Sequence, residues 1–166
     1  MDEVSARLEL PFLQAGQAGK ELWHNEALAL LDIATGACVQ AAGVDAPPPT
    51  PSVGQAWIVG TAPTGAWAGR AGAIAGWTDG GWRFVPAAEG MTATIAGTGL
   101  VARRVGAAWT IGEVRATRVV IDGVPVVGSR RPAIPAPVGG GTADAEARAT
   151  LGAVLATLRA HGLIAI

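Results

Sequence analysis

The sequence has one cysteine, no tyrosine, two histidines and, in Lys20, a single lysine. Cys38 alone closes no internal disulfide and supplies no multi-cysteine metal site. His24 and His161 are too far apart in sequence to suggest a zinc site built by the protein alone. No metal and no cofactor is expected. Charged residues are scarce, at 15%, and the formal net charge is −1. That balance gives no long-range pull toward nucleic acid or an acidic membrane. No apolar run approaches the roughly 20 residues of a membrane span, so membrane insertion is not expected. The opening stretch MDEVSARLELPFL is acidic and lacks the charged-then-apolar pattern of a secretory leader, so none is expected. The hydrophobic deficit typical of disordered chains is also missing, because half of the residues are hydrophobic. The glycines have no three-residue period, which excludes collagen.

What is present is glycine (24), proline (11) and tryptophan (6) in a chain of 166 residues, about one domain in length. Residues 21–34 (ELWHNEALALLDIA) space their apolar members as one face of a helix: Leu22, Trp23, Ala27, Leu30, Leu31 and Ala34. His24, Asn25, Glu26 and Asp32 fall largely on the polar side, and Gly36 is the stop. A stretch with Pro47, Pro48, Pro49 and Pro51 reads as an extended, stiff linker.

Residues 57–127 read as short strands divided by glycines. AWIV (56–59) is a strand, and GAWAG and GAIAGW continue the series. Thr78-Asp79-Gly80-Gly81 is a hairpin turn before WRFV (82–85). GAIAGWTDGGW (72–82) and GLVARRVGAAW (99–109) superpose at an offset of 27 residues, which matches Gly72 with Gly99, Ile74 with Val101 and Trp82 with Trp109. TRVVIDGVPVV (117–127) is a further hairpin turned at Asp122-Gly123. Pro125 confines its second strand to an edge or a bulge. A second linker with Pro132, Pro135, Pro137 and Gly139, Gly140 and Gly141 leads to a helix, DAEARATLGAVLATLRAHG, of about 18 residues. Asp144 or Thr142 caps it. Gly162 ends it, with Leu163 or Ile164 folding back on Leu158 in a Schellman arrangement.

The fold class is therefore α+β: a small antiparallel Trp/Gly-rich β domain between an N-terminal helix and a C-terminal oligomerisation helix. The expected divisions are a helical attachment segment (1–46), the β domain (53–128), the linker (129–143) and the last helix (144–166).

No catalytic residue is expected. His24 and Glu26 are two apart on a helix and do not face each other. Cys38 has no neighbouring base and reads as a small buried residue. Asp79 and Asp122 both stand in turns, where Asp serves local geometry. Nucleophile-elbow, zinc-protease and dinucleotide-loop motifs are absent. The basic pairs Arg103-Arg104 and Arg130-Arg131 are too few for a nucleic-acid face and read as surface or interface ion pairs.

Tryptophan carries more information. Trp57, Trp67, Trp77, Trp82 and Trp109 sit among small residues, and large rings are needed to fill a sheet of Ala, Gly and Val. The alternative is a sugar-binding face, since flat rings stack on pyranose C–H groups. Trp67 and Trp77, in the most glycine-rich stretch, are the two expected to be exposed for it. In the last helix Leu151, Val154, Leu155 and Leu158 form a narrow stripe, with Leu151 and Leu158 seven apart as in a coiled-coil seam. Packing on the chain's own sheet is the alternative for that stripe.

Residues 10–32 contain G-Q-x-x-K-E-x-x-H-N-E-A-L, matched by Gly16, Gln17, Lys20, Glu21, His24, Asn25, Glu26, Ala27 and Leu28. With residues 54–90 and 126–164, this pattern resembles an uncharacterised domain family of phages and gene transfer agents. Members of that family occur as tail-fibre and head-spike components. The resemblance implies a virion protein without enzymatic activity, assembled in the host cytoplasm. It also implies that Lys20, His24, Asn25 and Glu26 act in particle attachment. Its partners would be its own copies, as a homotrimer, and other head or tail proteins. Many relatives carry longer C-terminal receptor-binding regions, so this chain corresponds to a base, an adaptor or a short spike. The reading from the residues that competes with it is a carbohydrate-binding module recognising cell-surface polysaccharide.

Overall fold

The computed structural model describes residues 4–14, 16, 19–136, 138–139 and 144–165. Gln17 of the N-terminal pattern, Thr142 as an alternative cap, and the linker positions Pro137, Gly140 and Gly141 lie outside them. The chain forms two compact units, Met1–Glu113 and Val114–Ile166, and each is treated by itself. The division falls within the expected β domain (53–128), before its last hairpin, and not at the first proline-rich stretch.

In the first unit, helix α1 (Lys20–Ala34) starts after Gly19 and ends before Gly36, both in left-handed conformation. The helix is where the sequence puts it, but its buried face is not. Leu22, Trp23 and Leu31 are exposed, Trp23 at 83%, while Ile33 and Asp32 are buried and Leu30 and Ala34 pack on the core. Two contacts explain the rotation. Ile33 presses onto a strand at Gly76, where a Cβ would sit 2.5 Å from Ile33 Cδ1, so only glycine admits it. Asp32, at 3% exposed, holds the N-terminal strap. Its carboxylate accepts from Ser5 Oγ at 2.7 Å, from the Arg7 amide at 3.1 Å and from the Leu8 amide at 2.6 Å. The Arg7 guanidinium in turn donates to the Asp32 carbonyl at 2.5 Å and the Gly36 carbonyl at 2.8 Å, satisfying carbonyls that a helix end leaves open.

Eight strands follow: β1 (Cys38–Val39), β2 (Ala42–Val44), β3 (Ala56–Val59), β4 (Ile74–Thr78), β5 (Gly81–Val85), β6 (Thr92–Ile95), β7 (Val101–Val105) and β8 (Ala108–Ile111). They build two four-stranded sheets, β2-β3-β4-β5 and β1-β6-β7-β8. In each, a short first strand runs parallel to its neighbour and the other three form an antiparallel meander. The internal repeat is therefore structural. β4 maps onto β7 from end to end at the offset that matches Gly72 with Gly99, and β5 and β8 start in the same register. Gly72 (φ 72°) and Gly99 (φ 70°) share the left-handed conformation before the matched strands, a geometry that costs other residues roughly 1 kcal/mol or more.

Alternation along β3 buries both of its faces. Ala56 and Ile58 join Ile33, Val39, Ile74, Val85, Ala93 and Ala102 in a core drawn from both sheets and α1. Trp57 and Val59 point the other way, to Trp67 and Ala75. Trp67 lies on a short 3₁₀ turn (Gly65–Trp67) in the long β3–β4 connection, where the sequence suggested another strand. Its ring is 5.1 Å from Trp82 and 6.2 Å from Trp57, and Trp77 meets Trp82 edge-on at 4.9 Å. The β6–β7 connection is short and supplies no such plug, so the second sheet has no matching aromatic layer. Cys38 is exposed, contrary to the sequence reading, because β1 alternates and Val39 takes the inward position.

In the second unit, β9 (Val119–Ile121) and β10 (Val124–Val127) form the expected hairpin. Asp122 and Gly123 both have positive φ, the signature of a type I′ turn, and the register slips between Pro125 and Val127. Helix α2 (Ala145–Ala160) is capped by Asp144, whose carboxylate accepts from the Ala147 amide at 2.8 Å. Its end is the expected Schellman motif, with the Leu163 amide on the Leu158 carbonyl and the Gly162 amide on the Arg159 carbonyl, both at 2.9 Å. Arg130 and Arg131, expected in surface or interface ion pairs, bind the chain's own tail. Arg130 Nε donates to the Ile164 carbonyl at 3.1 Å, and the Arg131 amide donates to the Leu163 carbonyl at 3.0 Å. Among the described residues no helix is long and apolar enough to cross a membrane.

Candidate functional site

A cleft of about 480 Å³ opens in the first unit between β2 and β3 of one sheet and β7 and β8 of the other. Its walls are small and apolar, with alanines at 42, 71, 107 and 108. Its chemistry comes from Arg104, Trp109 and Asp45. Ala102 of β7 fills the core, and two residues on, Arg104 lies on the same face at the core's open end. Trp109 is its direct cross-strand partner on β8.

Gly72 shapes the cleft. A Cβ there would lie 2.9 Å from Arg104 Nη1, so the missing side chain is the space the guanidinium uses. The Gly72 carbonyl accepts from Trp109 Nε1 at 2.8 Å, which fixes the indole. Asp45, also on the cleft wall, accepts at Oδ1 from the Ala62 amide at 2.9 Å. It reaches that position because Gly60 has no Cβ, which would otherwise sit 2.2 Å from the same oxygen.

Arg104, like Trp67 at its Nε1, carries an orphaned donor. Its Nε is buried without a hydrogen-bond partner, and its guanidinium makes no ion pair among the described residues. A buried polar group without a partner costs about 1–3 kcal/mol, more when charged, and marks a place where an ion or water belongs. A smaller pocket of about 250 Å³ shares Ala71, Gly72 and Arg104 and adds Arg70, which stacks on Phe84 at 5.0 Å. The groove is thus cationic along one side.

The family model described as "protein of unknown function (DUF2793)" matches residues 24–110. The chain belongs to this family. No curated protein matches it. The DUF2793 span takes in most of α1, all eight strands of the two sheets up to Thr110, and every residue named above around the cleft.

The expected sugar-binding pair does not form a site. Trp67 is 0% exposed and has no face to offer a ligand. Its 3₁₀ turn folds it under the sheet, where it answers the need for a large ring among small residues. Trp77 is half-buried with its ring against Trp82. Of the attachment residues, Lys20 and His24 are exposed. Asn25 clamps the strap, with Oδ1 accepting from the Leu13 amide at 2.8 Å and Nδ2 donating to the Leu13 carbonyl at 3.0 Å. Glu26 pairs with Arg83 of β5 at 2.7 Å. In the α2 stripe Leu155 is buried, Leu158 is half-buried, and Leu151 and Val154 are exposed. Among the described residues no group of three His, Cys, Asp or Glu side chains is placed to hold a metal.

Arg104 escapes the sequence reading because the Arg103-Arg104 pair reads as surface or interface ion pairs. The signal was present: adjacent residues on a strand face opposite ways, so one of the two had to point toward the core side.

Proposed function

We propose that this DUF2793 protein is a virion structural component, a subunit of an oligomeric fibre or spike, or of its base, on a phage or gene-transfer-agent particle, and that it serves attachment to the host surface. The observation that carries the reading is the β9–β10 hairpin. Val119, Val120, Ile121, Val124, Val126 and Val127 are all 44–61% exposed, on both faces of a two-stranded ribbon. Such a ribbon is marginal in water by itself, and a contiguous apolar surface of this kind marks an interface. Copies of the same chain, three in a symmetric fibre, would cover it, with Leu151 and Val154 of α2 adding to the seam.

The exposed stripe of α1 supports particle attachment by the same logic. Trp23, Ala27 and Leu31 recur at four-residue spacing on the face turned from the core, with Lys20 and His24 beside them. That face suits a head or tail protein with an apolar groove.

Light scattering on the purified chain tests the oligomer. The expected mass is three times the chain mass at micromolar concentration, and a monomer with the hairpin and α2 intact sinks the fibre reading. Electron microscopy of particles carrying a labelled copy tests the location.

A further inference from the structure

We infer that the cleft between the two sheets binds an acidic sugar, a pyranose carrying a carboxylate, with Arg104 taking the carboxylate. The inference relies on the attachment reading for the source of the sugar, a host-surface polysaccharide, and not for the site itself.

Three features set the ligand class. Arg104 presents a partly buried, unpaired guanidinium with an orphaned Nε, and a guanidinium is a rigid fork that matches a carboxylate with two parallel hydrogen bonds. Trp109 lies directly across the strand pair, and its indole is locked by its bond to Gly72. It gives the cleft one large aromatic surface among alanines, suited to the C–H face of a sugar ring. Asp45 also lines the cleft and supplies carboxylate acceptors for hydroxyl groups. A volume of about 480 Å³ is in the range of small-molecule sites, holds one pyranose with its substituents, and is mostly apolar with a few polar groups, as such sites are. A ligand of this kind would also give the orphaned Nε of Arg104 a partner.

The test is calorimetry on the full chain with D-glucuronate, D-glucose and inorganic phosphate at low salt. Glucuronate is expected to bind at least tenfold more tightly than either of the others. Arg104→Met is expected to weaken glucuronate at least tenfold without lowering the melting temperature, since it removes an unsatisfied charge and keeps the apolar stem. Ala108→Trp, which fills the cleft and leaves Arg104 in place, is expected to abolish binding while circular dichroism shows the fold retained. Equal binding of glucuronate and glucose overturns the proposal, as does unchanged binding by Arg104→Met. Phosphate binding as tightly as glucuronate overturns the sugar class, because the indole and Asp45 then contribute nothing. A chain that binds glucuronate as a monomer overturns the fibre reading alone, and an oligomer that binds no glucuronate overturns this site alone.

Discussion

The indole N–H of Trp109, on the last strand of one sheet, donates to the carbonyl of Gly72, at the entrance to the third strand of the other, at 2.8 Å. This bond links the two halves of the repeat at the mouth of the cleft. Trp109→Phe keeps most of the ring and leaves the Gly72 carbonyl without that donor. The expected loss is about 1–2 kcal/mol, read as a lower urea midpoint at unchanged slope. No loss would mean that the carbonyl is satisfied by water.

The two tryptophans first considered as sugar platforms should separate cleanly by stability. Trp67→Ala empties a fully enclosed site and is expected to cost about 3–5 kcal/mol, enough to unfold a marginal domain at moderate temperature. Trp77→Ala removes a half-buried ring and should cost less than half as much. Thermal melts of the two variants side by side decide it, and equal costs would contradict the burial difference.

Asp32→Ala removes the acceptor of Ser5 Oγ and of the amides of Arg7 and Leu8 together. A loss of about 3 kcal/mol is expected, because donors buried without an acceptor add to the lost bonds. Hydrogen exchange should report a local effect too, with the Leu8 amide losing its protection. Continued slow exchange there would show that the strap is held by other means.

The Glu26–Arg83 pair joins α1 to β5 at a partly solvated site, with side chains 42% and 30% exposed. A double-mutant cycle of Glu26→Gln and Arg83→Met is expected to give a coupling of about 1 kcal/mol or less, shrinking as salt is added. A coupling insensitive to salt would place the pair in a drier setting than its exposure implies.

Asp144→Ala removes the side-chain cap of α2 and should cost that helix about 1 kcal/mol. Far-ultraviolet circular dichroism and the melting of the second unit check it. Asp144→Asn, which keeps an acceptor, is expected to retain most of the stability.

Local chemistry was the part of this fold most readable in the sequence. The Asp79-Gly80 and Asp122-Gly123 turns, the bulge after Pro125, the Asp144 cap and the Gly162 terminus each follow from one or two residues and stand where their types require. The repeat was visible from only three matches, yet it predicts two strands to their first residue. Long-range choices were not readable. Which face of α1 is buried depends on Gly76, far along the chain, giving Ile33 its seat, and on the strap needing Asp32. By period alone Trp23 belongs inside. The site was hidden for a related reason. Arg104 matters because of where Gly72 and Trp109 lie in the other half of the repeat and across the strand pair, and spacing along one strand does not show that.

Strands β1 and β2 come from a single short segment, and each joins a different sheet by a parallel pairing. The hairpins β4–β5, β6–β7 and β7–β8 close over short turns, which is fast, whereas Cys38 pairs with Thr94 across about half of the unit. The β1 pairing is therefore expected to form after those hairpins, like a latch. Because the segment is shared, its release would strip the edge strand from both sheets, baring β6 in one and β3 in the other.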